Sequence, residues 1–480
     1  MRERTMKNEK AKTWQLILFP FNDAATNIIM MLMSFVSYLY TGAIGTSVVF
    51  ISTFLTAMRI WDAVTDPVIG WIIDHTGGRF GKFRPMILLG YGLMLISLGL
   101  MFLAAPSIGS ESARVALFVV CYIFYIFGYT FQTACSKAGQ TCITIDPEQR
   151  PIITRANAII NSFVFMLVPA FASNYIAAKY QGFTTEALQE FFLIAMAVAG
   201  LFTAFAIAAL WTRDVPENWG AGDGKKVSIR EYLDIIKNNR PLQLLIVSCA
   251  SDKVASMCAS NTSVTVMLFG IILGNYALNG TMGIIMMIPS IIITLLGTEY
   301  AKKKGFKDTM KNFSIANIVL YAFLGVLIMT ITPGTVTFSS VNFITILFVV
   351  LYILGNGSKT VSTSMNMPMI ADCTDYEVTR TGAYAPGIIG TIFSFVDKVV
   401  SSLSTTIVGF LLAGIGYTST LPQPGDAISG EIRMITLACF VIIPIVGWVI
   451  NVIALRFYSL SHEEMLSIHD QLMEKRGAES

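Results

Sequence analysis

The sequence predicts an all-α polytopic membrane protein of twelve transmembrane helices in two six-helix, pseudo-repeated bundles. Three observations carry this. The chain of 480 residues is 54% hydrophobic and only 13% charged, and a soluble surface of this size needs far more charge. Separate apolar runs recur along it, each of the roughly 20 residues that a helix needs to cross hydrocarbon. Basic residues collect in every second loop: three at 76–85, six at 212–241 and five at 299–311, against none at 270–275, 332–340 and 415–430. That alternation puts both termini in the cytoplasm.

Residues 1–13, with Arg2, Arg4, Lys7, Lys10 and Lys12, read as a cytoplasmic start. No cleavable leader is expected, because the first apolar run is long enough to span. The first bundle, 14–211, holds spans near 14–41, 46–74, 86–105, 114–142, 153–178 and 190–211. Residues 212–241 form the longest internal polar stretch. A Gly-rich linker there leads into VSIREYLDIIKNN, whose apolar residues recur at helical period up to Pro241, as in a helix lying on the membrane surface. The second bundle, 242–456, holds spans near 242–270, 275–299, 310–332, 339–365, 386–414 and 431–456. The tail, 457–480, is charged and amphipathic. Each bundle places a basic, Gly-containing loop between its second and third spans, HTGGRFGKFRP and AKKKGFKDTMK, as a duplication would leave.

The charges inside the spans point to function, since a charged group in hydrocarbon is costly and usually faces a cavity or a partner. The second span reads RIWDAVTDP from Arg59 to Pro67. Asp62 and Asp66 are one turn apart on one helical face, with Arg59 a turn before them. Pro67 deprives the carbonyl of Ala63 of its usual helical donor. Two carboxylates and a freed carbonyl make an all-oxygen patch suited to a hard cation or a proton. The structural alternative has Arg59 neutralising Asp62, which leaves Asp66 to be accounted for. Asp23 is a lone carboxylate in the first span, a candidate site unless it shares Arg59 or Lys398. The fourth span carries a polar face of Tyr129, Thr130, Gln132, Thr133, Ser136, Lys137, Gln140 and Thr141. Lys137 can alternatively snorkel to the interface. Arg155 opens the fifth span. The seventh holds Asp252 and Lys253, which point to different sides of a helix and need separate partners. The tenth has a polar stripe from Asn356 to Asn366, and the eleventh holds Asp397 and Lys398.

Other classes find little support. A net charge of +3 gives no nucleic-acid signal. The seven cysteines lie in or beside spans without C-x-x-C spacing and read as reduced apolar residues. Three scattered histidines do not suggest a metal centre, no Walker A sequence is present, and no nucleophile–base constellation accompanies the paired acids. Enzymatic activity and a tightly bound cofactor are therefore not expected. Twelve spans in two halves with buried charges describe a secondary transporter, whose work is binding and release.

WDAVTDPVIGWIIDHTGGRFGKFRP resembles the second helix and following loop of the glycoside–pentoside–hexuronide:cation symporters, the melibiose-permease group of the major facilitator superfamily. MIADCTDYEVTRTGAYAPG is similar to that family's loop before helix eleven, DPEQR to its loop after helix four, and VSIREYLDIIKNNRPL to its middle-loop helix. The resemblance runs through nearly the whole chain. It implies the major facilitator fold and a coupling cation, Na⁺ or H⁺, held by Asp62, Asp66 and Thr130, with Thr65 in place of the family's asparagine. If the cation is Na⁺, Asp62 and Asp66 are its ligands. It implies that Asp23, Arg155 and Lys398 serve the sugar, with Tyr129 on the same polar face of helix four.

One departure matters. The family's second sugar-binding aspartate and stacking tryptophan become Thr133 and Lys137 here. Losing a carboxylate and gaining a lysine favours an acidic sugar such as a hexuronide over a galactoside. Asp74, Arg79, Lys82 and Arg84 are candidate gating contacts at the cytoplasmic loop. The expected function is cation-coupled symport of a sugar, glycoside or hexuronide by alternating access, in a monomer of the plasma (inner) membrane. The partners are the sugar, a monovalent cation and the bilayer, with no nucleic acid. An amphiphile symporter, an uncoupled uniporter and a sugar sensor are the alternatives.

Overall fold

The computed structural model describes residues 10–43, 45–78, 80–144, 149–218, 237–381, 386–468 and 471. Among them the chain is helical, with no strand. Eleven helices are long and apolar enough to cross a membrane. The twelfth is Val48–His75, 28 residues long and set apart by the charges of Arg59, Asp62, Asp66 and Asp74. In chain order the twelve are α1 (Thr13–Gly42), α2 (Val48–His75), α3 (Phe83–Ser107), α4 (Glu111–Ile143), α5 (Ile152–Tyr180) and α6 (Thr185–Leu210). There follow α7 (Arg240–Ala259), α8 (Ala277–Lys304), α9 (Phe306–Thr330), α10 (Phe343–Glu377), α11 (Pro386–Gly414) and α12 (Gly430–Phe457).

Many of these helices start where a polar side chain takes over an orphan N–H of the first turn. Ser110 accepts from Ala113 N, Thr184 from Ala187 N, Asn239 from Leu242 N, Asn342 from Thr345 N and Ser429 from Ile432 N. Three elements differ from the sequence reading. The first span is interrupted at Phe19–Pro20 and again at Ser34–Phe35. The expected span 242–270 ends as α7 at Ala259, and Asn261 then caps a separate apolar helix, Thr262–Ile272. The polar stretch expected as a loop before helix eleven is helical over Asn366–Thr381. Its many charges mark emergence from the apolar layer, not loss of the helix. The surface helix expected at 227–239 falls mostly in 219–236, outside the described residues, as do most of DPEQR and much of the tail.

The chain divides into two compact units. The first is Met1–Asp223 with Asn279–Ile284 and Tyr417–Gln423. The second is Gly224–Leu278, Ile285–Gly416 and Pro424–Ser480. In the first unit α3 and α4 meet backbone to backbone. A methyl group added at Gly90 would lie 2.8 Å from the carbonyl oxygen of Gly128, and one at Gly128 would lie 2.6 Å from that of Gly90. In the second unit α7 packs along α12, and α9 along α10.

The repeated basic loops have matching anatomy. Gly81 (φ +90°) stands just before α3 and Gly305 (φ +81°) just before α9, both in a conformation that glycine adopts without strain. Each packs on the segment that follows the last helix of its own unit, Gly81 on Asp214 and Gly305 on His462. The Asp214 carboxylate accepts from the backbone N–H groups of Lys82 (2.8 Å), Phe83 (2.8 Å) and Arg84 (2.9 Å). It therefore caps α3 from outside that helix.

Candidate functional site

In the first unit the ionisable centre stands between α2 and α4. Asp62 is 1% exposed, and its Oδ1 accepts from the Thr130 hydroxyl at 2.9 Å. Thr65 is also buried. Its hydroxyl donates to the backbone carbonyl of Asp62 at 3.0 Å, so it braces the helix at the carboxylate's own residue. Asp66 lies one turn on and is half-buried, and α2 runs through Pro67 without a break. Arg59 is half-buried and within electrostatic reach of Asp62 and of Tyr122, Tyr125 and Tyr129. Those tyrosines form one stripe of α4 with Phe118, with successive ring centroids 5.6, 5.4 and 6.1 Å apart. Carboxylate and hydroxyl oxygens on a buried face are a donor set that fits a hard monovalent cation or a proton.

Asp23 sits on α1, and its Oδ2 accepts from the amide of Asn161 on α5 at 2.8 Å. Asn161 in turn donates to Asn157 Oδ1 (2.9 Å) and accepts from Asn27 Nδ2 (2.8 Å). Sequence reasoning passed over these three asparagines. The available signal was their polarity inside apolar spans and the one-turn spacing of Asn157 and Asn161. Along α4, Thr133 is half-buried and donates to the carbonyl of Thr130 at 3.2 Å, and Lys137, a turn further, is exposed. The Tyr129 hydroxyl reaches Met30 Sδ at 3.9 Å, which ties α4 to α1. Arg155 is exposed near the start of α5.

Of the candidate gating residues at the loop before α3, Lys82 and Arg84 have partners inside the first unit. Arg84 Nε is 3.6 Å from Asp214 Oδ2, and its guanidinium lies 5.2 Å from the Trp211 ring. Lys82 places its ammonium 5.8 Å from the Phe83 ring. The Arg84 contacts hold α3 to the end of α6. Arg79 and the side chain of Asp74 lie outside the described residues. In the other basic loop, Lys302 pairs with Glu299 one turn earlier at 2.6 Å.

The second unit has its own charged centre. Asp252 and Lys253 take separate partners, as their adjacency on a helix requires. Asp252 is 1% exposed and accepts from Thr363 Oγ1 at 2.8 Å and Trp448 Nε1 at 3.0 Å. Lys253 pairs with Asp397 of α11 at 2.9 Å. Lys398, the next residue, is half-buried.

Comparison with known proteins bears on this arrangement. The model of a family described as MFS/sugar transport protein matches residues 18–462. The isoprimeverose transporter of Lactiplantibacillus pentosus is 25% identical over 468 residues, covering 96% of this chain and 91% of that protein. A glucuronide carrier protein homolog of Escherichia coli (strain K12) is 24% identical over 463 residues, covering 95% and 94%. Among solved structures the nucleoside transporter NupG superposes with a TM-score of 0.61 at 13% identity, covering 93% of this chain and 99% of its own, which is a likeness of fold.

Proposed function

The chain belongs to the MFS/sugar transport protein family, and from that premise we propose that it is a secondary active transporter carrying an acidic sugar or glycoside in symport with a monovalent cation. The observation that carries the coupling is Asp62, a carboxylate almost wholly buried in a membrane helix, one turn from Asp66 and bonded to Thr130 at 2.9 Å. Two carboxylates so close repel until a cation or a proton joins them. Asp62, Asp66 and Thr130 are the cation's ligands in this reading, and Na⁺ or H⁺ is cargo. Thr65 stiffens the helix at Asp62.

Asp23 is the sugar's hydrogen-bond acceptor, held by Asn161. A carboxylate restrained by neutral amides keeps its charge available to sugar hydroxyls, whereas an ion pair would quench it. Lys137, Arg155 and Lys398 supply the positive charge that an acidic sugar needs, and Thr133 and Tyr129 line the polar face of α4. Likeness at near-full coverage to a glucuronide carrier protein homolog and to an isoprimeverose transporter supports a sugar or glycoside as the substrate. Coupling follows from linkage: the cation relieves repulsion at Asp62 and Asp66 and readies the site for sugar, and the sugar raises cation affinity by the same factor. The protein is a monomer in the plasma membrane with both termini in the cytoplasm.

Uptake into proteoliposomes tests this. A glucuronide, a neutral β-glycoside and a pentoside are each offered with and without an inward Na⁺ gradient, and with a pH gradient. Accumulation of the glucuronide above equilibrium that collapses with one gradient is the expected result. Accumulation of neutral sugars alone refutes the acidic substrate, and equilibration without accumulation refutes coupling.

A further inference from the structure

Behind Asp252, in the second unit, four helices enclose polar groups that the transport reading does not use. On α9, Met310, Ser314, Asn317 and Tyr321 recur at helical spacing on one face, all fully buried. On α12, Trp448 and Asn451 are one turn apart and fully buried, and on α7 Ser248 and Asp252 are likewise one turn apart. The pairs interlock. Ser248 Oγ donates to Asn451 Oδ1 at 3.0 Å, Trp448 Nε1 donates to Asp252, and the Tyr321 ring meets the Trp448 ring at 4.7 Å. Ser314 of α9 meets Ser362 of α10 at 3.0 Å. Inside this frame, both polar atoms of Asn317, the Asn451 Nδ2 and the Tyr321 hydroxyl have no protein partner.

Four orphan polar atoms at full burial are costly, and natural interiors remove that cost with bound water. A metal ion does not fit, because the orphans include N–H donors as well as acceptors. Water satisfies both. On the far side of the acid, Thr363 is exposed and shares a face of α10 with Lys359, one turn away.

The geometry points to a proton-binding site at Asp252, backed by water held among Asn317, Asn451 and Tyr321, in addition to any ion at Asp62. A hydronium gives its proton to the carboxylate and leaves as water; the neutral acid returns the proton by the reverse step. The groups facing Asp252 permit this. Cys249 and Lys253 lie on α7, Lys359 and Thr363 on α10 and Trp448 on α12; Asp397 of α11 reaches Lys253 and Cys249, and Cys373, on the extension of α10, reaches Cys249. Lys359, and after it Lys253, which also pairs with Asp397, are the cations that balance ionised Asp252.

Infrared difference spectra of the purified protein in lipid, titrated with acid and base, test the inference without any transport assay. A failure to carry sugar would therefore not affect them. The expected result is a carboxylic-acid carbonyl band, shifted by deuterium, that is lost in Asp252→Asn and kept in Asp62→Asn. In Trp448→Phe, which keeps the ring packing and removes one donor to the charged form, the midpoint of that band rises by about one pH unit. In Asn317→Leu the band persists while its deuterium exchange slows. An unchanged band in Asp252→Asn, or an unmoved midpoint in Trp448→Phe, overturns the proposal.

Discussion

Thr130 touches the coupling centre through one hydroxyl, and that contact can be removed without changing side-chain shape. Thr130→Val deletes the donor to Asp62 at 2.9 Å and leaves the packing between α2 and α4 in place. One hydrogen bond to a charged group is worth roughly 1.5 kcal/mol or more. With Na⁺ as the cation, loss of this hydroxyl from the site is expected to raise the half-saturating concentration for uptake about tenfold; with H⁺ the sign reverses, because ionised Asp62 has lost a donor and holds a proton more tightly. The sugar's own dependence changes less in either case. An unaltered cation requirement would remove Thr130 from the ion's coordination. A second residue-scale expectation concerns Cys142, at the end of α4. It is 2% exposed, and its sulfur lies 2.9 Å from the carbonyl oxygen of Arg213. A buried structural thiol is unreactive, so maleimide should fail to label Cys142 at neutral pH in the folded protein and should label it after denaturation. Labelling of the native protein at neutral pH would mean that this end of α4 opens. Asp62, Asp66 and Asp23 are legible because charge in an apolar run has few explanations. Asn161 is not, because a neutral amide in a helix is unremarkable until its partner is known, and that partner is 138 positions away.

At the scale of elements, length and apolarity mark eleven of the spans, since hydrocarbon sets a minimum length for each, while α2 is charged in its middle and is less apolar. Breaks within them were less legible. Pro20 interrupts α1 where proline chemistry says it should, but the gap between α7 and Thr262–Ile272 turns on Asn261 acting as a cap, and nothing in an apolar run announces that. Asp214 was read as part of a Gly-rich linker, yet it is buried and caps α3 through contacts that cross 130 positions and more. Asp214→Ala would strand three backbone N–H groups at the start of α3. The expected loss is about 2 kcal/mol, at the upper end for a cap, seen as an unfolding temperature several degrees lower in detergent. Gly81→Ala should destabilise comparably, because a Cβ there both demands a positive φ and collides with Asp214. A melt unchanged in both variants would show that the junction of α3 with the end of α6 carries no stability.

For the whole molecule, orientation rests on charge. The loops near 270–275, 332–340 and 415–430 have no basic residue, whereas 299–311 has five, and translocation machinery retains short basic loops on the cytoplasmic side. The fold itself is indifferent to which way it is inserted, so no internal distance decides the matter; the difference lies in the flanking charges alone. Ser339 and Lys303 are both exposed, on opposite sides of α9 by this reasoning. Single cysteines at these positions report it directly, against a low background, because six of the seven native thiols are buried. In intact cells a membrane-impermeant maleimide should label Ser339→Cys at once and Lys303→Cys only after permeabilisation. The reverse pattern would invert the molecule in the membrane and move both termini to the outside. Labelling of both positions in intact cells would break the alternation of twelve spans between α8 and α10.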